Sequence, residues 1–237
     1  MEFMHEPIGV DGCRGGWIAV SNEGQWLLCT HIEALLQAIH AGKVIIDMPV
    51  GLSGGGISRT VEQVVRPLLG RKSSSLFTPP ARIVLAAKNY AEACALNKQY
   101  LGSGISIQCW NIVPRIRELD EFLKKNPQQQ TRIFESHPEL VFQFLNKREP
   151  LINTKKTKEG QQERLGILKQ YMNGVVSYFE EGLSKFPRKL VQPDDLLDAL
   201  ALACISGHKL IPLAPLAEDE YGISMNLWIS EALMKPL

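Results

Sequence analysis

The sequence lacks the features that define several specialised classes of protein. Its five cysteines are odd in number and contain no Cys-x-x-Cys pair, which argues against a disulfide framework and against a zinc site. No apolar stretch reaches the roughly 18 residues of a membrane-spanning helix. Glu2 and Glu6 interrupt the N-terminus where a signal peptide needs a basic flank followed by an apolar run. We therefore expect a cytoplasmic protein that is not exported and does not enter a membrane.

An excess of one charge is also missing. Lys and Arg number 26 and Asp and Glu 25, so the formal net charge of the 237 residues is +1. With so little net charge, the protein has no long-range electrostatic attraction to a polyanion. Any nucleic acid or phosphate must therefore be bound by a local patch of basic residues. Internal repeats and low-complexity tracts are absent, and 45% hydrophobic and 22% charged residues are ordinary globular proportions, which exclude a disordered, collagenous or coiled-coil chain.

Short apolar runs predict five strands. The first three are separated by tight, glycine-containing turns, which indicates an antiparallel meander. The fourth is apolar on successive residues, as a strand covered on both faces should be. The predicted strands are 8–11, 17–20, 25–30, 43–47 and 131–135.

Apolar residues at helical spacing, with glycine or proline near the expected ends, predict the helices. They are expected from 32 to a stop at Gly42, and over 58–69, 83–101, 110–125, 138–145, 155–172 and 194–207, with 222–229 as an extra edge strand. The fold class is therefore α/β. We expect one domain over residues 1–237, with three antiparallel strands and then two parallel strands, flanked by helices and carrying a mainly helical insertion over about 52–130.

Acidic residues recur at comparable points of this predicted fold. Asp11, Asp47 and Glu135 end the first, fourth and fifth strands, so neighbouring parallel strands would bring their carboxylates to one edge of the sheet. Asp195 and Asp198 are three residues apart and share one face of the final helix. Taken singly, each acid also has a structural explanation as a turn residue or as a helix-capping residue.

Together, these acids predict a metal centre. Like charges that converge on a partly desolvated edge repel one another unless a cation holds them. Oxygen ligands suit Mg²⁺ or Mn²⁺, and two such ions can cleave a phosphodiester. We expect Asp11 to bridge both ions, Asp47 and the pair Asp195 and Asp198 to take one ion each, and Glu135 to be a ligand or to orient one through water.

Cationic residues near these acids could contact phosphates, although a solvated face is the alternative. The candidates are Arg14, Arg59, Lys155, Lys156 and Lys158. His137 could shuttle a proton near Glu135, or could simply donate a hydrogen bond that stabilises a turn. Glu62 and Glu139 are further candidates for a supporting role.

Five runs carry a family resemblance: GVDGCRGGW at 9–17, IDMPVGL at 46–52, WNI at 110–112, ESHPE at 135–139 and PDDLLDA at 193–199. In this combination the chain resembles the predicted RNase H-like nucleases of the domain-of-unknown-function 429 family, over nearly its whole length. The resemblance implies an RNase H-like core with carboxylates at Asp11, Asp47, Glu135 and the final helix. One departure is that Arg59 is followed by Thr-Val-Glu62, where the family tends to have Cys-Asp, so an acid is kept and a thiol is lost.

Three functions remain open. The leading hypothesis is a metal-dependent nuclease. The sequence does not determine whether its substrate is RNA, DNA or a small phosphoester. The second is a non-catalytic nucleic-acid-binding or scaffold protein in which the acids are remnants. The third is a phosphotransferase of the actin-like superfamily. The glycines at 54–56 argue against it, because they are not followed by the Lys-Ser/Thr of a phosphate-binding loop.

Overall fold

A computed structural model describes residues 7–40 and 42–234, so Glu2 and Glu6 lie outside the described residues. A five-stranded mixed sheet has the order β3-β2-β1-β4-β5, with β1 antiparallel to β2, β2 antiparallel to β3, and β4 parallel to both β1 and β5. The strands are β1 (Ile8–Cys13), β2 (Gly16–Ser21), β3 (Trp26–Cys29), β4 (Val44–Ile46) and β5 (Ile133–Glu135). The predicted sheet is confirmed, and its topology is consistent with an RNase H-like core.

Helices pack on both faces of this sheet. Three of them, together with three short 3₁₀ helices (Gly70–Ser75, Arg82–Ala86 and Pro127–Gln129), lie between β4 and β5, where the helical insertion is predicted. The α-helices are α1 (Ile32–Ala38), α2 (Val61–Leu69), α3 (Tyr90–Leu101), α4 (Ile107–Lys125), α5 (Pro138–Leu145), α6 (Lys158–Leu168), α7 (Val175–Lys185), α8 (Pro193–Ser206) and α9 (Glu231–Met234). None of the helices in the described parts of the chain combines the length and the apolar character needed to cross a membrane.

Some predicted boundaries were wrong. Helix α1 ends at Ala38 rather than near Gly42, because Ile39 is already extended. The helix predicted over 83–101 is interrupted, because Asn89 caps a new helix by accepting the Glu92 amide hydrogen bond at 2.9 Å. Helix α7 was not predicted.

The segment predicted as an extra edge strand lies elsewhere. Strand β7 (Trp228–Ser230) pairs with β6 (Leu210–Pro212) in a separate two-stranded sheet. Strand β7 thus pairs with the strand that precedes it in the sequence and does not extend the main sheet. The spacing of apolar residues predicts that a segment is extended, but it does not specify the pairing partner.

Alternate residues of the strands build two hydrophobic cores. Val10 and Ile46 face a core that includes residues of α1 and α4. Ile18 and Ile45 face the other core, which includes residues of α5 to α8. Both faces of the sheet are therefore covered, as the apolar runs in β1 and β4 predict.

Helix α8 lies unusually close to β1. A Cβ atom added at Gly9 would be 2.2 Å from the Ala199 carbonyl oxygen and 2.3 Å from the Ala203 nitrogen. Only glycine permits this approach of helix backbone to strand backbone. The contact fixes the position of α8, and with it the acids at its N-terminal end, relative to β1.

Gly9→Ala should therefore lower the free energy of unfolding by about 2 kcal/mol or more, because overpacking a core forces backbone shifts. The matched control is Gly166→Ala in α6, where nothing lies within 4 Å of the added Cβ. We expect that control to be neutral or to stabilise the protein by about 0.5 kcal/mol. Urea unfolding of the two variants measures the difference, and equal stabilities would contradict the close packing of α8 on β1.

Candidate active site

A cleft of about 530 Å³ opens at the edge of the sheet where β1, β4 and β5 end. The N-terminal turns of α5 and α8 border it, and so do residues of the insertion. In open α/β sheets, ligands bind outside the carboxyl ends of the strands. Seven acidic side chains line this cleft: Asp11, Asp47, Glu62, Glu135, Glu139, Asp195 and Asp198.

Asp11 is buried among these acids, with 7% of its surface exposed. Its Oδ1 accepts a hydrogen bond from the Gly12 amide at 2.7 Å. Burial raises the pKa of Asp11 well above its ordinary value, and the charges of Asp47, Asp198 and Asp195 raise it further. The structure thus brings together four aspartates from β1, from the end of β4 and from α8.

Asp195 has two roles at the start of α8. Its Oδ2 accepts the Gln192 amide hydrogen bond at 2.8 Å and so caps the helix. It also lines the cleft, and burial raises the pKa of its carboxyl group to about 6. The capping explanation and the functional explanation of this residue are therefore compatible.

Asp198 is 2% exposed, and burial raises its pKa. Its Oδ2 accepts a hydrogen bond from Lys155 Nζ at 2.5 Å. Asp198 is also the main cause of a raised pKa of Lys155, with smaller contributions from Asp11 and Asp47. Lys155, which was predicted to contact a phosphate, thus offsets the charge of the clustered acids.

The acids fit a divalent cation, with one condition. Within residues 7–40 and 42–234, no group of three or more His, Cys, Asp or Glu side chains has the arrangement of a metal site. However, the Oδ1 atom of Asp198 is buried and receives no hydrogen bond from the described residues. Such a carboxylate oxygen is a ligand that Mg²⁺ or Mn²⁺ prefers. The donor set fits these ions if Lys155 moves away from Asp198.

Glu135 and Arg59 form a buried ion pair. Arg59 Nη2 and Nη1 donate to the two oxygens of Glu135 at 2.7 and 2.8 Å, and Arg59 Nε donates to Glu62 at 2.6 Å. The Val50 amide donates to Glu135 as well, at 2.7 Å. The Arg59 side chain is only 2% exposed. Arg59, predicted to contact a phosphate, is instead enclosed among acids. Both oxygens of Glu135, predicted to be a metal ligand or to orient one through water, accept hydrogen bonds.

His137 connects the acids to the insertion. Its Nδ1 lies 3.6 Å from Asp47 Oδ1, and its Nε2 lies 3.0 Å from Ser75 Oγ. The acid beside the imidazole is thus Asp47, whereas the sequence pattern suggested Glu135. With 12% of its side chain exposed, the histidine is part of the lining of the cleft.

The remaining predicted cations are divided by position. Lys156 lines the cleft and is exposed. Arg14, in the turn between β1 and β2, and Lys158, at the start of α6, are exposed outside it. Lys72 also lines the cleft but was not predicted, because it belongs to a short 3₁₀ helix of the insertion whose distance from the acids cannot be read from the sequence.

The insertion supplies an apolar wall to the cleft that sequence reasoning also missed. Phe77, Pro79 and Ile112 face the same space as the acids. For Phe77 and Pro79 the signal was the serine- and proline-rich composition of residues 71–82, which indicates a loop but not where the loop folds. Ile112 belongs to the run at 110–112, which gave no indication of its position relative to the acids. A ligand that fills the cleft would contact both charged and apolar surfaces.

The metal-free protein should become less stable as the pH rises from about 4 to about 7. Burial raises the pKa of Asp195 to about 6 and that of Glu135 to about 7 in the folded state. The folded state therefore binds more protons than the unfolded chain in this window, and the free energy of unfolding falls by about 1 to 3 kcal/mol. Urea unfolding at pH 5 and pH 7 in EDTA measures this slope. A protein that is more stable at pH 7 would contradict the crowding of the acids.

Lys155→Met should lower stability at pH 7, because it leaves Asp198 buried without its partner. The loss should be about 1 to 3 kcal/mol, less than for a fully enclosed pair because the Lys155 side chain is 38% exposed. Lys156→Met, the neighbouring and exposed control, should change stability by less than about 0.5 kcal/mol. Thermal unfolding in EDTA measures the stability of both variants. Equal losses would show that Lys155 does not stabilise the buried Asp198.

Comparisons with known proteins agree with the family resemblance and do not extend it to function. No curated protein and no solved structure matches the chain. A family model described as "Protein of unknown function (DUF429)" matches residues 9–209, which include the acids of β1, β4, β5 and α8. The chain therefore belongs to the DUF429 family.

Proposed function

We propose that the protein is a metal-dependent nuclease, a phosphodiester hydrolase that uses clustered carboxylates. The observation that carries this proposal is the convergence of Asp11, Asp47, Asp195 and Asp198 on one cleft, where Lys155 contacts Asp198. Such crowding of like charges, of which Asp11 and Asp198 are buried, is costly, and it is typical of a site that binds cations.

The four aspartates would hold two Mg²⁺ or Mn²⁺ ions. A bound pair of such cations supplies Lewis-acid stabilisation of the attacking and leaving oxygens in phosphodiester cleavage. The fit is supported by the set of carboxylate oxygens and by the buried Asp198 Oδ1, which lacks a hydrogen-bond partner among the described residues.

The chain's own cations would bind the substrate. When Lys155 leaves Asp198, its ammonium group remains at the cleft and can contact a phosphate oxygen, together with Lys156 and Lys72. His137, beside Asp47, can hold or move a proton at Nδ1. Local contacts of this kind are required because the net charge of +1 provides no long-range attraction.

The partner we propose is a nucleic acid, either RNA or DNA, met in the cytoplasm. Five free cysteines are consistent with a reducing compartment. The apolar wall at Phe77 offers a face on which a base can stack, so a strand with an unpaired base suits the cleft.

A second candidate is a non-catalytic nucleic-acid-binding scaffold. The Lys155–Asp198 contact favours it, because an internal cation already offsets part of the acid charge. A phosphotransferase of the actin-like type has less support, since residues 54–56 lie outside the cleft.

Asp11→Asn should abolish divalent-dependent cleavage, with a loss of at least about 100-fold, because the amide loses the charge that holds the cations. The fold should remain intact. Stability in EDTA should hold or rise because repulsion is relieved, while the stabilisation by Mn²⁺ should shrink. Labelled single-stranded and duplex RNA and DNA serve as substrates, with and without Mn²⁺.

Two controls accompany this test. Asp47→Asn, prepared in the same way, should also be inactive, and residual cleavage in both preparations would reveal a contaminating nuclease. Asp194→Asn removes a charge from the first turn of α8 outside the cleft and should retain activity. If Asp11→Asn cleaves at the wild-type rate, the acids do not carry the chemistry.

A further inference from the structure

The two glutamates of the run at 135–139 both line the cleft, but their surroundings differ. Glu135 uses both oxygens: one accepts from Arg59 Nη2 at 2.7 Å, and the other accepts from Arg59 Nη1 at 2.8 Å and from the Val50 amide at 2.7 Å. Three donors thus occupy a carboxylate that can accept about four hydrogen bonds, which leaves it less capacity for a cation than a carboxylate with a single donor has.

Glu139 has capacity to spare. Its Oε1 accepts a hydrogen bond from Arg164 Nη2. Its Oε2 is buried and has no hydrogen-bond partner among the described residues. The residue is 8% exposed and belongs to the lining of the cleft. A buried carboxylate oxygen without a donor is rare and points to an ion or a water molecule that satisfies it.

Arg164 positions this carboxylate. It is fully buried, and its Nη1 donates to the carbonyl oxygens of Gly160 and Asn153 at 3.1 and 3.3 Å. The guanidinium is thus anchored in α6 while Nη2 holds one oxygen of Glu139. This leaves the other oxygen of Glu139 in a defined orientation, as residues behind a metal ligand commonly do.

Asp198 shows the same asymmetry. One of its oxygens binds Lys155, and the other, Oδ1, is buried without a partner among the described residues. Both residues line the same cleft. Glu139 lies in the first turn of α5 and Asp198 in the second turn of α8, and the two helices pack together.

We propose that Glu139, rather than Glu135, completes the cation site, and that Glu139 and Asp198 share one divalent cation through their unpartnered oxygens. The proposal deepens the proposed function, on whose cation site it rests. Glu135 then serves the fold, as the counter-ion that fixes Arg59 and the loop after β4. The two glutamates divide the roles of metal ligand and structural anchor between them.

The test is a calorimetric titration of Mn²⁺ into metal-free protein, comparing Glu139→Gln with Glu135→Gln. Glu139→Gln should weaken Mn²⁺ binding by at least about tenfold. Glu135→Gln should leave the affinity within about twofold of the wild-type value, although its thermal midpoint should fall because the Arg59 pair is disrupted. Circular dichroism shows that each variant is folded.

A double variant tests the shared ion. If Glu139 and Asp198 bind the same cation, Glu139→Gln combined with Asp198→Asn should weaken binding by less than the product of the two single effects. Independent, multiplicative losses would contradict a shared ion. Glu139→Asp, which keeps the charge but shortens the side chain, replaces Glu139→Gln if that variant does not fold, and it should also weaken binding.

The outcomes separate this inference from the proposed function. If the wild type binds Mn²⁺ and Glu139→Gln or its replacement binds it equally well, the assignment of Glu139 is overturned while the aspartate site stands. If Glu135→Gln loses binding and Glu139→Gln does not, Glu135 is the ligand after all. If the folded wild type binds no Mn²⁺ at millimolar concentration, the cation site fails, and the proposed function and this inference fail with it.

Discussion

The close packing of α8 on β1 is the contact on which the rest of the site depends. At Gly9 the strand backbone meets the backbone of α8 without an intervening side chain. This contact holds the N-terminal end of α8 beside the end of β1, so that Asp195 and Asp198 face Asp11. Parallel pairing of β1 with β4 adds Asp47 to the same edge. The acids thus meet because of the fold, in spite of their mutual repulsion.

The charge produced by this packing is offset in two different ways. Arg59 neutralises the acids at the end of β5 and in α2 through a buried, fully hydrogen-bonded pair. At the end of α8, Lys155 reaches the cluster from a loop and keeps part of its side chain in solvent. The first arrangement is rigid and suits a structural role. In the second, Asp198 Oδ1 is buried without a hydrogen-bond partner among the described residues, and another cation can replace the Lys155 ammonium group. The second arrangement therefore suits a cation site.

Much of the fold could be predicted from the sequence, because apolar periodicity and glycine or proline stops are local signals. The sheet of three antiparallel and two parallel strands and helix α5 show this. The pairing of Arg59 with Glu135 could not be predicted, since the two residues are 76 positions apart in the sequence and meet only after α2 packs. For the same reason, Arg59 resembled a phosphate ligand, and the loop carrying Lys72 and Phe77 gave no sign that it closes on the acids.

A crystal structure of the protein soaked in millimolar Mn²⁺, with anomalous scattering to identify the ion, tests the central claim most directly. We expect manganese at Asp11, Asp47 and the aspartates of α8, and we expect Lys155 Nζ to lie farther from Asp198 Oδ2 than the 2.5 Å that now separates them. A map with no manganese at these acids, and with Lys155 still bound to Asp198, would contradict the account.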